Sequence, residues 1–311
     1  MATALAGAIA ATAGLTACEP APDTYVALGD SYVAGPLIPV QGTTTPGCLR
    51  SNRNYPSLVR TKIKVTKFKD VSCSGATTDD FFAPQDVRPG PPNAPQLDAL
   101  DRQTKVVTVG IGGNDIGFTD IVVNCGTSLP TDPGCKADYV HDGRDELSEA
   151  IAATAPKIDR SLKEIKRRAP RAKVFVVGYP TVLPATGTGC YPRVPVLPAD
   201  VPYLRSKVQE LNGMLKARAT ANGATYIDIA AVSVGHDFCQ LLGRWVEGAS
   251  PSTPPPRCTR TPPAWPGGRP RSRPASTRSS RPDGSHDDLE LDPSLEPARR
   301  CRRMSGRPPS S

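Results

Sequence analysis

No apolar run in this 311-residue sequence reaches the roughly 20 residues that a membrane-spanning helix needs, which excludes a polytopic membrane protein. Residues 249–311 contain no Val, Ile, Phe, Tyr, Asn, Gln or Lys, yet they hold 14 of the 35 prolines. Such a stretch cannot bury enough apolar surface to offset the entropy lost on ordering. We therefore predict a disordered Arg/Pro-rich tail here and exclude a second globular domain.

Excess positive charge is scarce outside this tail. Twelve arginines and six acidic residues lie within 249–311, so the tail carries +6 of the formal net charge of +8. The first 248 residues carry the remaining +2, and any interaction with nucleic acid would depend on the tail alone. We expect no nucleic-acid partner, with polyanion binding through the tail as the alternative.

The N-terminus indicates export. The first 17 residues carry no charge, which is typical of the apolar region of an export signal, although the usual Lys/Arg start is missing and the true start codon is expected upstream. Leu15-Thr16-Ala17-Cys18 has the form of a bacterial lipobox, in which the cysteine is lipidated and becomes the first residue. We predict a signal peptide at 1–17 and membrane attachment through a lipid on Cys18. The alternative is an ordinary signal peptide cleaved nearby, with Cys18 incidental, for a secreted protein.

Six cysteines lie in the body of the chain, namely Cys48, Cys73, Cys125, Cys135, Cys190 and Cys239. An even number in an exported protein predicts three disulfides, although six cysteines allow fifteen pairings. Cys125 and Cys135 lie close together in a Gly/Pro-rich loop, which favours pairing them with each other. A metal site is disfavoured, because no Cys-x-x-Cys occurs and the three histidines do not flank these cysteines. Cys258 and Cys301 in the tail fit no pairing.

Short apolar runs alternate with helical patterns through the body. The runs that we predict as buried strands are 24–28, 105–109, 173–177 and 224–229. Residues 145–168 and 201–221 have apolar side chains at helical spacing, and basic residues close the first of these helices. Strands that alternate with helices predict an α/β fold with a parallel sheet covered on both faces. In such sheets, sites form beyond the carboxyl ends of the strands.

The first predicted strand ends in the clearest candidate for chemistry. Residues 29–32, GDSY, follow it directly, and Gly29 allows a sharp turn that would expose the Ser31 hydroxyl at the mouth of the sheet. A plain turn, in which Asp30 or Ser31 caps a helix, is the alternative.

Two further small-residue segments offer hydrogen-bond donors. Residues 72–78, SCSGATT, form a loop where backbone can approach a substrate closely. Residues 112–115, GGND, follow the second strand, and the Asn114 amide can donate to an oxyanion. The glycine spacing is not G-x-G-x-x-G, which disfavours dinucleotide binding, and no G-x-S-x-G elbow of an ordinary α/β-hydrolase is present.

The segments YVALGDSY, SCSGATT and GIGGNDIGF together resemble the SGNH (GDSL) hydrolase family, in its secreted actinobacterial esterase/lipase branch. The resemblance covers roughly residues 25–248. It implies a three-layer α/β/α flavodoxin-like fold, here as one domain at 24–248. It also implies that Ser31 is the nucleophile, and that its N–H, the Gly75 N–H and the Asn114 amide form an oxyanion hole.

The resemblance also extends to the cysteines and to the reaction. It implies the disulfides Cys48–Cys73, Cys125–Cys135 and Cys190–Cys239. It implies serine esterase or lipase chemistry on an acyl ester or lipid, with no metal and no organic cofactor. We further expect a monomer.

One element of the family is not found in this sequence. The family supplies its general base from a C-terminal His-Pro-Asn segment a little beyond a WVEG-like stretch, and no His-Pro-Asn occurs here. The histidines are His141 in a polar connection, His236 in a Gly-His-Asp-Phe-Cys segment, and His286 in the tail. We expect a surface role for His141 and a structural role for His236. If a histidine of the body acts as the base, His236 is the candidate. The hydrolase domain is therefore predicted to be C-terminally incomplete.

A frameshift would explain the missing histidine. Read from the third base of each codon, Cys258 to Ala264 can encode His-Pro-Asn-Ala-Ala-Gly, at the distance from WVEG where the family places its base. A stretch rich in Arg, Pro, Ser and Ala is also what a GC-rich gene yields out of frame. We predict a frameshift between about Gly248 and Cys258, with a genuine basic extension as the alternative.

These observations together predict an exported esterase or lipase that forms an acyl-enzyme on Ser31 and is impaired as written. The alternative is a catalytically inactive exported lipoprotein, in which the same fold acts as a scaffold or binding module.

Overall fold

Five parallel strands form the central sheet of the computed structural model, which describes residues 23–246. In chain order the strands of this region are β1 (Thr24–Gly29), β2 (Lys67–Asp70), β3 (Thr104–Gly110), β4 (Val140–His141), β5 (Arg144–Asp145), β6 (Lys173–Val177) and β7 (Thr225–Ile227). The sheet order is β2-β1-β3-β6-β7, while β4 and β5 form a separate antiparallel hairpin. This order is that of flavodoxin-like sheets, and it confirms the predicted fold.

The helices flank this sheet. Their bounds are α1 (Ser31–Ala34), α2 (Tyr55–Val59), α3 (Phe118–Asn124), α4 (Lys136–Tyr139), α5 (Glu146–Arg168), α6 (Val201–Ala221) and α7 (Ile229–Val232), with short 3₁₀ turns at Pro46–Cys48, Thr78–Phe81 and Gln96–Ala99. The two long helices confirm those predicted from apolar spacing. Asp145 caps α5 by accepting hydrogen bonds from the backbone N–H groups of Leu147 and Ser148.

Successive residues of β1 face two different cores, which gives the molecule three layers. Val26 and Leu28 pack in the larger core with residues of α5 and α6, such as Ile158 and Leu215. Tyr25 and Ala27 point the other way and pack in a second core with residues of α1 and α2. This alternation follows from the two-residue period of a strand, and it explains why the β1 sequence is apolar throughout.

Two strands differ from the sequence prediction. The strand expected at 224–229 ends at Ile227, because the Asp228 side chain accepts from the Ala231 N–H and starts α7 instead. The edge strand β2, with sequence KFKD, was not predicted, since its exposed side carries lysines rather than an apolar run.

The structure contains the disulfides Cys48–Cys73, Cys125–Cys135 and Cys190–Cys239, the same pairings that the family resemblance implies. Within residues 23–246, no group of His, Cys, Asp and Glu is arranged to hold a metal ion. In the same region, no helix is long and apolar enough to cross a membrane. The predicted signal peptide, Cys18 and the tail at 249–311 lie outside the described residues.

Candidate active site

Ser31 lies at the carboxyl end of β1, where it is the first residue of α1. The strand end needs glycine, because a Cβ on Gly29 would lie 2.3 Å from the carbonyl oxygen of Gly110, and its φ is +149°. Asp30 is the N-cap of α1, since its Oδ1 accepts from the Tyr32 N–H at 2.9 Å. The capping alternative therefore describes Asp30, while the Ser31 side chain caps nothing and is partly exposed.

The loop at 72–78 is joined to this strand end. The Cys73 N–H donates to the carbonyl of Gly29 at 2.9 Å, and the disulfide to Cys48 holds the loop from its other side. Gly75 has a φ of +80°, a conformation that favours glycine. The loop thus brings the Gly75 backbone to the side of the sheet where the strands have their carboxyl ends and where Ser31 lies. This side is called the sheet edge below.

The segment after β3 reaches the same edge and is bonded to that loop. The Asn114 amide donates to the carbonyl of Ala76 at 2.8 Å. The neighbouring Asp115 accepts from the backbone N–H of Thr78 at 3.0 Å and from its hydroxyl at 2.5 Å. The segments of Ser31, Gly75 and Asn114, which are far apart in sequence, are therefore bonded to one another at one sheet edge.

A fourth segment, which contains Tyr179 and follows β6, reaches the same sheet edge. The Tyr179 hydroxyl donates to Asp30 Oδ2 at 2.5 Å and accepts from the Gly113 N–H at 2.7 Å. Burial raises the pKa of Asp30 to about 7, although hydrogen bonds from Tyr179 and from the Tyr32 N–H act in the opposite direction. Burial and the nearby Asp30 carboxylate hold the pKa of Tyr179 well above its usual value, so its hydroxyl stays protonated.

Three residues that help to build this edge were missed in the sequence analysis. The side-chain amide of Gln96 pairs with both the N–H and the carbonyl of Gly29, at 2.7 and 3.0 Å. Asn212 pairs in the same way with the backbone of Tyr179. Both amides lie far along the chain from their partners and carry no local signal. Tyr179 is the second residue after a predicted strand, so its position at that end of the sheet was the one available indication.

An apolar cavity of about 340 Å³ opens beside these segments. Its lining includes Tyr32, which directly follows Ser31, together with Gly113 and Tyr179. The remaining lining is mostly apolar and includes Ile116, Ile121, Val182, Leu204, Leu211 and Phe238. A cavity of this kind suits the hydrocarbon part of a ligand and leaves the polar edge for the reacting group.

The two described histidines are engaged elsewhere. His141 Nε2 in β4 lies 3.2 Å from the carboxyl oxygen Oε1 of Glu146, the first residue of α5. His236 stacks on Trp245 at 4.1 Å between ring centroids, and its Nδ1 contacts the carbonyl of Gly243. Within residues 23–246, no side chain hydrogen-bonds to the Ser31 hydroxyl. His286 lies outside the described residues.

Comparison with known proteins identifies the family. Residues 27–252 match the model of the GDSL-like Lipase/Acylhydrolase family. The chain belongs to this family. Lipase 2 of Streptomyces coelicolor is 40% identical over 231 residues, which are 72% of this chain and 75% of that lipase. The lipase of Streptomyces rimosus is 30% identical over 215 residues, 69% of this chain and 73% of that protein.

Solved structures agree with this GDSL-family assignment. Phospholipase A1 from Streptomyces albidoflavus superimposes with a TM-score of 0.63 at 28% identity, covering 74% of this chain and 89% of that one. The extracellular lipase from Streptomyces rimosus gives a TM-score of 0.62 at 28% identity, covering 73% and 88%. The sheet edge with Ser31, Gly75 and Asn114 is thus part of a GDSL-family hydrolase fold.

Proposed function

We propose that this GDSL-family hydrolase is an exported serine esterase or lipase that hydrolyses carboxylic esters through an acyl-enzyme on Ser31. The observation that carries the proposal is the convergence of the Ser31, Gly75 and Asn114 segments beside the apolar cavity. Ser31 Oγ bonds to the ester carbonyl carbon while its proton passes to a base. The alcohol then leaves with a proton, and water releases the acid from Ser31 in the same way.

The proposed oxyanion hole supports this chemistry. During attack the carbonyl oxygen gains negative charge, and donors fixed in advance stabilise that charge without reorganising. The Ser31 N–H, the Gly75 N–H and the Asn114 amide are the donors that we assign to this role. Two contacts support the assignment: the bond that fixes the Asn114 amide to the Ala76 carbonyl, and the Cys48–Cys73 disulfide that anchors the Gly75 loop.

The cavity favours esters with an apolar acyl group. Burying one methylene contributes about 0.8 kcal/mol, so each carbon added to the acyl chain should raise kcat/KM by up to about 4-fold until the cavity is filled. Hydrolysis of p-nitrophenyl acetate, butyrate and hexanoate measures this series. If kcat/KM stays constant or falls from the acetyl to the hexanoyl ester, the cavity does not bind the acyl chain.

We further propose that the chain is impaired as written because it lacks the family's C-terminal histidine. The contacts of His141 and His236 support this, since both rings already have partners away from Ser31. Free imidazole should then replace the missing base. The alternative, an inactive exported scaffold, is favoured by the same lack of a base partner for Ser31 among the described residues.

Imidazole rescue separates these functions. We expect slow hydrolysis of p-nitrophenyl butyrate by the intact chain, a strong increase with added imidazole, and no such increase for Ser31→Ala, which corrects for hydrolysis by imidazole itself. Fluorophosphonate labelling of Ser31 should also accelerate with imidazole. If the intact chain and Ser31→Ala behave alike at every imidazole concentration, the esterase proposal fails and the scaffold remains.

Export and lipidation are proposed from the sequence at Cys18, outside the described residues. The disulfides are consistent with an oxidising compartment. Expression in a bacterial host with radiolabelled palmitate tests the anchor, with Cys18→Ser as the control. Label in both chains, or in neither, would contradict lipidation at Cys18.

A further inference from the structure

Tyr179 joins the two segments that carry the proposed nucleophile and the proposed oxyanion donor. Its hydroxyl lies between Asp30, which directly precedes Ser31, and Gly113, which directly precedes Asn114. The two contacts measure 2.5 and 2.7 Å and use the hydroxyl as both donor and acceptor. One side chain from the segment that follows β6 therefore spans the ends of β1 and β3.

The position of this hydroxyl is itself tightly determined. Asn212 on α6 accepts from the Tyr179 N–H and donates to its carbonyl, both at 2.8 Å. The Tyr179 ring meets the Tyr32 ring edge-on at 5.1 Å between centroids, and the residue is 7% exposed. Backbone and ring are thus held independently, so the hydroxyl has little freedom to move.

We propose that Tyr179 is a positioning residue for ester hydrolysis, fixing the Ser31 segment against the Asn114 segment through its hydroxyl. This inference rests on the proposed function at Ser31. Tyr179 acts through Asp30 and Gly113 and does not itself exchange a proton with the substrate. Misplacing either segment by a fraction of an ångström would lower the rate of attack without removing a reacting group.

The two hydrogen bonds of the Tyr179 hydroxyl, to Asp30 and from Gly113, are called the clamp below. The strength of the clamp depends on the charge of Asp30. The ionised carboxylate accepts from both the Tyr179 O–H and the Tyr32 N–H. A protonated carboxyl has an O–H donor of its own, and this donor competes with the Tyr179 O–H for the same contact. Burial raises the pKa of Asp30 to about 7, so the clamp weakens as the pH falls through this value. The titratable groups that face Asp30 are Tyr32 in its own segment and Tyr55, Asp115 and Tyr179 in other segments.

The test compares Tyr179→Phe with the intact chain under the same imidazole concentration, so that the titration of imidazole cancels in the ratio of rates. Tyr25→Phe is the matched control, because the Tyr25 hydroxyl is also buried and makes one hydrogen bond, to Thr108 at 2.9 Å. Tyr179→Phe should lose more stability than Tyr25→Phe, because it removes two hydrogen bonds, one of them to a carboxyl group. We expect Tyr179→Phe to lower kcat about 10-fold above pH 8 with little change in KM, the size of one hydrogen bond to a charged group.

The decisive measurement is how the ratio of kcat between the intact chain and Tyr179→Phe changes with pH. As Asp30 is protonated, the intact chain loses the clamp that Tyr179→Phe already lacks, so the ratio should approach 1 near pH 5.5. Asp30→Asn should lower kcat, and adding Tyr179→Phe to it should cause little further loss. Tyr25→Phe should leave kcat unchanged at every pH. A ratio of 1 above pH 8, or one that stays constant down to pH 5.5, would overturn the proposal.

Direct titration of Asp30 keeps this inference distinguishable from the proposed function. Infrared difference spectra of the carboxyl band, with Asp30→Asn as the blank, report its pKa without turnover. Because the Tyr179 hydrogen bond lowers that pKa, Tyr179→Phe should raise it further above its value in the intact chain. An unchanged pKa overturns the clamp. A raised pKa together with no Ser31-dependent hydrolysis supports the clamp and removes the esterase function instead.

Discussion

The side-chain amide of Asn114 is tethered to the carbonyl oxygen of Ala76 over 2.8 Å. An amide NH₂ group has two N–H donors, and this bond uses one of them. Within residues 23–246 the second makes no hydrogen bond. The tether therefore orients the amide while leaving a donor for a developing oxyanion, and it bonds the Asn114 segment to the Gly75 loop.

Replacing Asn114 tests the oxyanion assignment. Asn114→Ala should lower the imidazole-rescued kcat by roughly 10²–10³-fold, as loss of one such donor does in other hydrolases. The melting temperature should change little, because the Asp115–Thr78 bonds still hold the segment to the loop. Ser31→Ala sets the background rate. Turnover close to that of the intact chain would remove Asn114 from the proposed mechanism.

The buried carboxyl of Asp30 should leave a signature in the pH dependence of stability. Burial raises its pKa in the folded chain to about 7, against about 3.9 in an unfolded chain. Between these values the folded state retains a proton that the unfolded state has lost, so this group lowers the free energy of unfolding as the pH rises. Asp30→Asn should therefore gain melting temperature relative to the intact chain from pH 4 to 7.

Asp101 provides a control of opposite sign. Its slight burial is outweighed by hydrogen bonds from the Gln103 N–H and from Thr104, which lower its pKa. Its contribution to stability is present above the unfolded-state pKa and is lost as the pH falls. Asp101→Asn should therefore lose melting temperature relative to the intact chain as the pH rises from 2 to 5. Parallel trends in the two variants would contradict the buried position of Asp30.

The Cys125–Cys135 disulfide should stabilise the wall of the cavity as well as the fold. Cys125 and Gly126 line the cavity, and the Thr127 N–H donates at 2.7 Å to the carbonyl of Pro195, which also lines it. The double variant Cys125→Ala/Cys135→Ala should lose ~2–4 kcal/mol of unfolding free energy. It should also lose acyl-chain preference more than the double variant at Cys48 and Cys73, measured by the p-nitrophenyl ester series.

Peptide mapping under non-reducing conditions checks the pairings directly. We expect Cys48 with Cys73, Cys125 with Cys135, and Cys190 with Cys239. A peptide that links Cys125 to any other cysteine would contradict this arrangement of the walls.

The parts of this molecule that sequence predicts well are those with local signals. The core strands β1, β3 and β6 are short apolar runs, and α5 shows its apolar face in its spacing. By contrast, β2 is a strand because it forms backbone hydrogen bonds with β1 as the outermost strand of the sheet. Its KFKD sequence has no apolar run that would predict a strand. Pairing with a neighbouring strand is a tertiary effect that local propensity does not contain.

The candidate site divides in the same way. The Ser31, Gly75 and Asn114 segments were visible because turns and strand ends need small residues at fixed places. Tyr179 contacts Asp30 across 149 positions of the chain, and its role follows from the order of strands in the sheet. Contacts of this kind emerge only after the sheet is assembled, so no local pattern in the sequence could assign them.

The last expectation concerns residues 249–311 and the general base that we propose the chain lacks. Apolar side chains are exposed where the described chain ends, with Leu241 76%, Leu242 89% and Trp245 59% exposed, and they would gain from a covering segment. If the alternative frame encodes His-Pro-Asn-Ala-Ala-Gly, restoring it just after Gly248 adds this segment and the sequence that follows it. We therefore expect both the melting temperature and the imidazole-free hydrolysis of p-nitrophenyl butyrate to rise, the latter by several orders of magnitude.

Changing the new histidine to Ala in the restored chain separates these two effects, because it should remove the added activity and keep most of the added stability. Sequencing the coding DNA across Gly248 to Gly268 shows whether the frame changes there. The idea fails if the 311-residue chain already hydrolyses short-chain esters at ordinary enzyme rates without imidazole. His236 would then be the first candidate base, and His236→Ala should abolish that activity. A loss of stability alone in His236→Ala would instead match its stacking on Trp245 and leave the base to be sought at His286.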